Sequence, residues 1–435
     1  MRMDDDSLLQ APRGTRDFKP AEAGLRLAIS EKLRCVFERY GFVPLETPVL
    51  EKMEVLSSKY AGGSEILKET YQLEDQGGRK LGLRYDLTVP LCRVVAGDAS
   101  LPKPFKRYQI APVFRDGPLK TGRYREFVQC DVDTIGAGGM IADAEILALV
   151  ADAFNELGFK VVIKVNNRKF LNGLLDAAGV PENKRMNAIL SLDKLEKIGV
   201  KGVTGELKEK GLSKQAGALL SLVAEKDVKI LEKKVASAEG KEGLAELNEL
   251  FDYLKAFGVK NFEFVPSLAR GLAYYTGTVF EVYLVDSKLS SSVAAGGRYD
   301  DLVGLFAGSK DKVPAVGISF GLDVLFEAFK EAGKADASAS TVRVFVIPFK
   351  ETVKEAAGVC AELRKAGVNA AMDLMGRGVS KNIDFASKQG IPFVVFVGKQ
   401  ELEQGKVKLR DLKTGNEELV SVAQAVKLLK TSLFF

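Results

Sequence analysis

A run of small and polar residues, AGKADASAST at 332–341, divides the chain into two blocks with different hydrophobic patterning. No other feature limits the fold as strongly. At 435 residues the chain is also too long for one ordinary core, because single cores stop growing at roughly 250–300 residues. Beyond the break, VRVFVIPF, VNAAMDL and IPFVVFVG read as strands that alternate with the helices TVKEAAGVCAELRKAG and VSKNIDFASKQG. KVKLRDL, a Thr-Gly-Asn turn at 414–416 and a last helix, AQAVKLLK, follow. Such alternation predicts a parallel or mixed sheet covered by helices.

Before the break the pattern is different. Leu25, Ile29, Leu33, Val36 and Phe37 recur at helical spacing between Ala23 and Tyr40, and Gly41 stops that helix. Residues 80–95 and 104–136 read as β-rich, a helix runs from Ile141 to Leu157, and FKVVIKV at 159–165 is a strand. From about Pro181 to Phe257 the chain is rich in Lys, Glu, Ala and Leu, and its short amphipathic segments punctuated by glycine read as a helical insertion. Strand pattern resumes at Asn261. The expected organisation is a first domain over 1–330 with the insertion at about 170–257, a linker at 331–341 and a second domain over 342–435.

Composition narrows the chemistry. A hydrophobic share of 46% and a charged share of 28% fit a globular chain. The net charge of +5 permits a polyanionic partner without requiring one. The chain has no histidine, which excludes a His-liganded zinc site and any Ser-His or Cys-His nucleophile pair. Chemistry that works by positioning and charge stabilisation passes this filter. Cys35, Cys92, Cys130 and Cys360 form no CxxC pair, so free thiols and a reducing cytoplasm are expected. The N-terminus, MRMDDDSLLQ, lacks an apolar signal core. No apolar run approaches the ~20 residues a bilayer demands, so no membrane association is expected.

Four clusters carry candidate chemistry. FRDGPLKTGRYREFVQCDVD at 114–133 places Arg115, Lys120, Arg123 and Arg125 around Gly117, Pro118 and Gly122. Two β-like flanks around such a turn suggest a hairpin with a mobile cationic loop, and guanidinium forks suit phosphate oxygens. A solvated charged hairpin is the plainer alternative. Gln129, Asp131 and Asp133 alternate on the outgoing strand and share a face that could capture an ammonium group. In RYDLTVP at 84–90, Asp86 and Thr88 are read as sharing one face of a strand. LARGLAYYTGTVFEV at 268–282 sets Arg270 before Tyr274 and Tyr275, which could hold a flat polar ring and an anion, or pack as a core pair. In AAGGRYDDLVG at 294–304, Gly296 and Gly297 allow close backbone approach to a ligand, or a bulge.

Together these motifs resemble the class II aminoacyl-tRNA synthetases, and within them the histidyl enzymes. GFVPLETPVLE looks like the first class II motif, with Pro48 at its proline, and FRDGPLKTGRYREFVQCD looks like the second. ARGLAYYTGTVFE and AAGGRYDDLVG resemble the paired histidine signatures, and 376–398 resembles the anticodon-binding domain. The likeness runs from about Ala11 to the C-terminus and is weakest across the insertion. It implies an α+β catalytic domain built on an antiparallel sheet, with an α-helical insertion, plus a C-terminal α/β anticodon-binding domain. It also implies ATP as substrate with Mg2+ beside it, no resident metal, tRNA(His) and histidine as partners, a homodimer and a cytoplasmic location. By this resemblance Arg115 contacts the α-phosphate and the amino-acid carboxylate, Arg123 holds the far end of ATP, and Arg270 sits at the α-phosphate. Asp86, Thr88 and Gln129 bind the α-amino group, Leu87 belongs to the histidine-binding set, and Asp133 and Tyr275 read the imidazole with Tyr274 beside them.

Two positions depart from the family pattern. The third class II motif usually ends in Glu-Arg, whereas GISFGLDVLF at 317–326 supplies Asp323 and Val324. The histidine signature usually carries an acid where this chain has Ala273. The competing class is a non-catalytic paralogue that senses histidine or regulates histidine biosynthesis. Such relatives tend to lack the complete signature and the C-terminal domain, and this chain keeps Arg270, both tyrosines and that block. A pure RNA-binding protein on a borrowed scaffold is a third reading.

Overall fold

The structure is a computed structural model and describes residues 8–58, 64–119, 122–271, 274–334 and 340–431. Four features of the sequence reading lie outside the described residues: the first seven residues, Lys120, Ala273 and 335–339 of the linker. The chain divides into two compact units, Met1–Arg16 with Ile29–Glu331, and Asp17–Ala28 with Ala332–Phe435.

The strands of the first unit are β1 (Val43–Pro44), β2 (Leu50–Lys52), β3 (Gln72–Glu74), β4 (Lys80–Leu83), β5 (Phe105–Phe114), β6 (Glu126–Ile135), β7 (Val161–Asn167), β8 (Phe262–Phe264), β9 (Thr278–Leu284), β10 (Ala294–Arg298) and β11 (Ala315–Gly321). Eight of them form one sheet in the order β1-β5-β6-β11-β10-β9-β7-β8, and β2-β4-β3 form a small second sheet. The large sheet is antiparallel throughout its centre, as the class II likeness implies. Its two edge pairs, β1 with β5 and β7 with β8, are parallel.

Period-two patterning decides what each face meets. β6 turns Cys130 and Val132, both fully buried, to one side. Phe320 lies opposite Cys130 in the register, and its ring packs 5.6 Å from Phe37 and 5.8 Å from Phe154. Phe154 comes from the helix Met140–Leu157, which stops at Gly158 in the left-handed conformation (φ 73). The opposite face of β6 carries Gln129, Asp131 and Asp133.

One local reading is corrected. The sequence suggested β structure over 80–95, with Asp86 and Thr88 on one strand face. The strand ends at Leu83, and Thr88 begins the helix Thr88–Gly97. Asp86 Oδ1 accepts the Val89 N–H at 3.0 Å, which satisfies one of the amides a helix start leaves open. Pro90 is tolerated there because the first turn needs no N–H from it.

The insertion is helical, from Arg168–Ala177 to Ala238–Ala256, with the side chains of Asn167 and Ser237 capping those two helices. Gly173 and Gly240 let them approach closely. A Cβ on Gly173 would lie 2.7 Å from the Gly240 Cα.

The second unit contains β12 (Val344–Pro348), β13 (Ala370–Met372), β14 (Phe393–Val397), β15 (Val407–Asp411) and β16 (Glu417–Val420), in the order β13-β12-β14-β15-β16. The first three run parallel and the last two antiparallel. Val344, Val346, Val395 and Val397 pack with Ala356, Cys360 and Leu363 of the helix Val353–Lys365. Phe345, Ile347, Val394 and Phe396 pack with Ala386 on the other face. Among the described residues no helix is long and apolar enough to cross a membrane.

Candidate active site

The polar face of the β5–β6 hairpin borders a cavity of ≈ 390 Å³ within the first unit. Several separate stretches of sequence reach it. Asp86, Thr88, Arg115, Arg123, Gln129, Asp133, Arg270, Tyr274 and Tyr275 all line it, together with Gly296 and Gly297. Leu87 does not. Its side chain is fully buried among core residues, and only its carbonyl takes part, accepting from Arg107 at 3.2 Å.

Part of the lining is acidic. Asp133 is ion-paired with the buried Arg107 at 2.7 Å, and the Tyr299 hydroxyl donates to its other oxygen. Arg107 and Tyr299 escaped the sequence reading. The signal for Arg107 is the hairpin register, which sets it directly opposite Asp133. Tyr299 lies in the AAGGRYDDLVG signature already singled out. Burial pushes the Asp133 and Asp86 carboxyls above their ordinary range, with Arg107 opposing it at both and Arg115 also at Asp86. Burial raises Asp131 to about 7. The Gln129 amide donates to Ser319 Oγ at 2.9 Å.

Gly317 faces Asp133 across the β6–β11 pair, and a methyl there would overlap the carboxylate. Gly317→Ala is expected to destabilise the fold by about 1–3 kcal/mol, the usual penalty for overpacking. Urea denaturation checks this, and an unchanged midpoint would show that Asp133 yields freely.

The rest of the lining is cationic and aromatic. Arg115 donates from Nε to the Tyr85 carbonyl at 2.9 Å, and its guanidinium sits 5.2 Å from the Phe127 ring. The Arg270 guanidinium lies 5.4 Å from the Tyr275 ring and 3.8 Å from Glu281. Its Nη1 is buried without a hydrogen bond. Tyr274 and Tyr275 pack at 4.7 Å between centroids. Burial pushes both hydroxyls up, so both remain donors at neutral pH. Arg123 is exposed at the cavity wall and makes no hydrogen bond or ion pair to a described residue.

The third-motif departure has a clear structural form. Asp323 is buried and accepts the Val128 N–H at 2.9 Å, tying the helix Leu322–Glu331 to the hairpin. Val324 presents methyl groups to the cavity and packs against Gly122, where a Cβ would lie 3.3 Å away. Among the described lining residues the cations are therefore Arg115, Arg123 and Arg270.

Two family models match the chain: one described as histidyl-tRNA synthetase over residues 14–325, the other as anticodon binding domain over 343–432. Histidine–tRNA ligase 1 of Bacillus cereus is 42% identical over 423 residues, 96% of this chain and 98% of that one. The crystal structure of histidyl-tRNA synthetase from Nostoc sp. PCC 7120 matches with a TM-score of 0.85 and 33% identity, covering 98% of this chain and 99% of that one. A Bacillus halodurans structure described as an ATP phosphoribosyltransferase regulatory subunit/histidyl-tRNA synthetase matches with a TM-score of 0.73 and 26% identity, over 89% and 98%. Near-full-length identity to a ligase, with both domain types matched in order, leaves one placement: the chain belongs to the histidyl-tRNA synthetase family.

Proposed function

We propose that the chain activates histidine with ATP, forming histidyl-adenylate and pyrophosphate, and then transfers histidine to the 3′ end of tRNA(His). One observation carries this reading: a single cavity is lined by three guanidinium groups, Arg115, Arg123 and Arg270, together with a carboxylate–phenol set. A match to the anticodon binding domain over 343–432 favours it over a histidine sensor.

In the first step a carboxylate oxygen of histidine attacks the α-phosphorus, and pyrophosphate leaves in line. The nucleophile is already ionised at neutral pH, so no general base is needed. The enzyme's work is alignment and charge stabilisation. Arg115 bridges the substrate carboxylate and the α-phosphate, Arg270 stabilises the charge that builds at phosphorus, and Arg123 grips the outer phosphates. Asp86, Thr88 and Gln129 receive the α-amino group. Asp133 accepts from the imidazole N–H, with Tyr275 and Tyr274 beside the ring. Arg107 and Tyr299 hold Asp133 for that task. A site that satisfies both ring nitrogens rejects analogues that leave its polar groups unpaired.

Magnesium enters with ATP as part of the substrate. Glu69 lines the cavity, and its carboxylate, of the oxygen-donor type magnesium takes, lies against Gly117 without an ion pair to a described residue. We assign catalysis to 1–330 with the insertion at about 170–257, a linker to 331–341 and anticodon binding to 342–435. The enzyme works in the cytoplasm as a homodimer through its first motif, and sedimentation equilibrium is expected to give twice 47.2 kDa. A single-chain mass would remove the dimer.

Purified protein is expected to catalyse ATP–pyrophosphate exchange with histidine alone among the common amino acids, and to charge tRNA(His). Exchange with a different amino acid, or none with any, would overturn the proposal.

A further inference from the structure

Asp131 sits in the cavity wall between two residues already given roles, yet none of the roles uses it. It is 3% exposed, and its Oδ1 is buried without a hydrogen bond. No lysine or arginine among the described residues pairs with it. Its neighbours are otherwise engaged. Arg107 pairs with Asp133. Arg84, also buried, donates to the carbonyls of Pro112 and Thr47 at 2.9 and 2.6 Å. Asp86 Oδ1 is occupied by the Val89 amide. Two residues away on the same strand face, Gln129 Oε1 is likewise buried without a hydrogen bond, whereas Asp133 Oδ2 has Arg107 as its ion partner. Ser319 lies directly across from Asp131 in the register and accepts the Gln129 amide.

Arg84, Arg107 and, at Asp86, Arg115 are the counter-charges of the carboxylates Asp86, Asp131 and Asp133, and none of them forms an ion pair with Asp131. Asp131 Oδ1 and Gln129 Oε1 are acceptors waiting for donors, and an ammonium group brings one charge and three donors.

We propose that Asp131 joins Asp86, Thr88 and Gln129 Oε1 as an acceptor for the α-ammonium group of the amino-acid substrate and is a charged partner that anchors it. This rests on the activity reading above and adds a residue to it. Without ligand, burial lifts the Asp131 carboxyl from 3.8 to about 7, against the pull of Arg107 and the Ser319 hydroxyl and reinforced by Asp133 and Asp86. The empty site therefore carries part of a proton at neutral pH. An arriving ammonium favours the ionised form and expels that proton to solvent.

The sign for stability follows. A carboxyl raised in the fold penalises the folded state where it must ionise, fully above about 7 and not below its ordinary 3.8. Asp131→Asn is expected to melt higher than the wild type at pH 8, with the gap closing in acid.

The deciding experiment is calorimetric titration of the full chain and of Asp131→Asn with two probes, L-histidine and imidazolepropionate, which keeps the ring and carboxylate but lacks the ammonium. Loss of a buried, hydrogen-bonded charge partner is expected to weaken histidine binding by about 100-fold and to leave imidazolepropionate within about threefold. In buffers of differing ionisation heat, wild type is expected to release more proton on binding histidine at pH 7.5 than the variant does. Asp131→Ser repeats the comparison without an amide. Equal weakening of both probes would assign Asp131 a purely structural role and overturn the proposal, as would unchanged histidine affinity. A wild-type chain that binds no histidine would instead overturn the activity reading, and this one with it.

Discussion

Replacing Arg270 by alanine is expected to lower the rate of histidine-dependent ATP–pyrophosphate exchange by about 10³-fold while leaving the chain folded. Removing one neutral donor from a preorganised anion site costs about 10²–10³-fold, and Arg270 brings a full charge. Its geometry points to a role in the reaction and not in the fold. Nη1 is buried without a hydrogen bond, and Glu281 is no closer than 3.8 Å. The Arg270 carbonyl, which accepts from Arg168 at 3.2 Å, survives the substitution. The loss is expected in turnover more than in histidine affinity, because charge at phosphorus builds only during displacement. Arg270→Lys is expected to retain part of the rate. Stopped-flow exchange with a melting curve on the same sample separates the two effects. A tenfold loss or less would remove Arg270 from the reacting centre.

The second large effect belongs to Arg107. Arg107→Met breaks a fully buried ion pair and strands Asp133, and such losses cost about 3–5 kcal/mol. Urea denaturation at pH 7.5 is expected to show that deficit. The Asp133 carboxyl is already raised by burial, and without the guanidinium it rises further. The folded variant then holds a proton that the unfolded chain releases near pH 4. The deficit is therefore small in acid and grows as pH rises from there. Arg107→Met combined with Asp133→Asn is expected to recover most of the stability without recovering histidine activation. Equal stability of the single and double variants would show that Asp133 does not depend on Arg107.

The hairpin, the helical insertion and the α/β unit were legible because period-two and period-3.6 patterns run long enough there to be unambiguous. Segment 84–97 was not. Val89, Leu91, Cys92 and Val95 are buried apolar residues that suit a strand or a buried helix equally, and only the Asp86 cap tips the choice. Nine of the ten candidate site residues line one cavity. Leu87 falls out because its side chain points into the core, where alternation along a strand would also have sent it. Arg107 stayed hidden because its importance lies in register, and Tyr299 because its hydroxyl reaches Asp133 from just past the end of β10. Val324 was readable as a departure, but its contact with Gly122 was not.

The most direct test is competition against a non-hydrolysable sulfamoyl analogue of histidyl-adenylate. If one cavity holds amino acid and nucleotide end to end, the analogue binds once per chain and excludes histidine and ATP together. Continued binding of ATP or of histidine to the analogue-saturated protein would contradict the account.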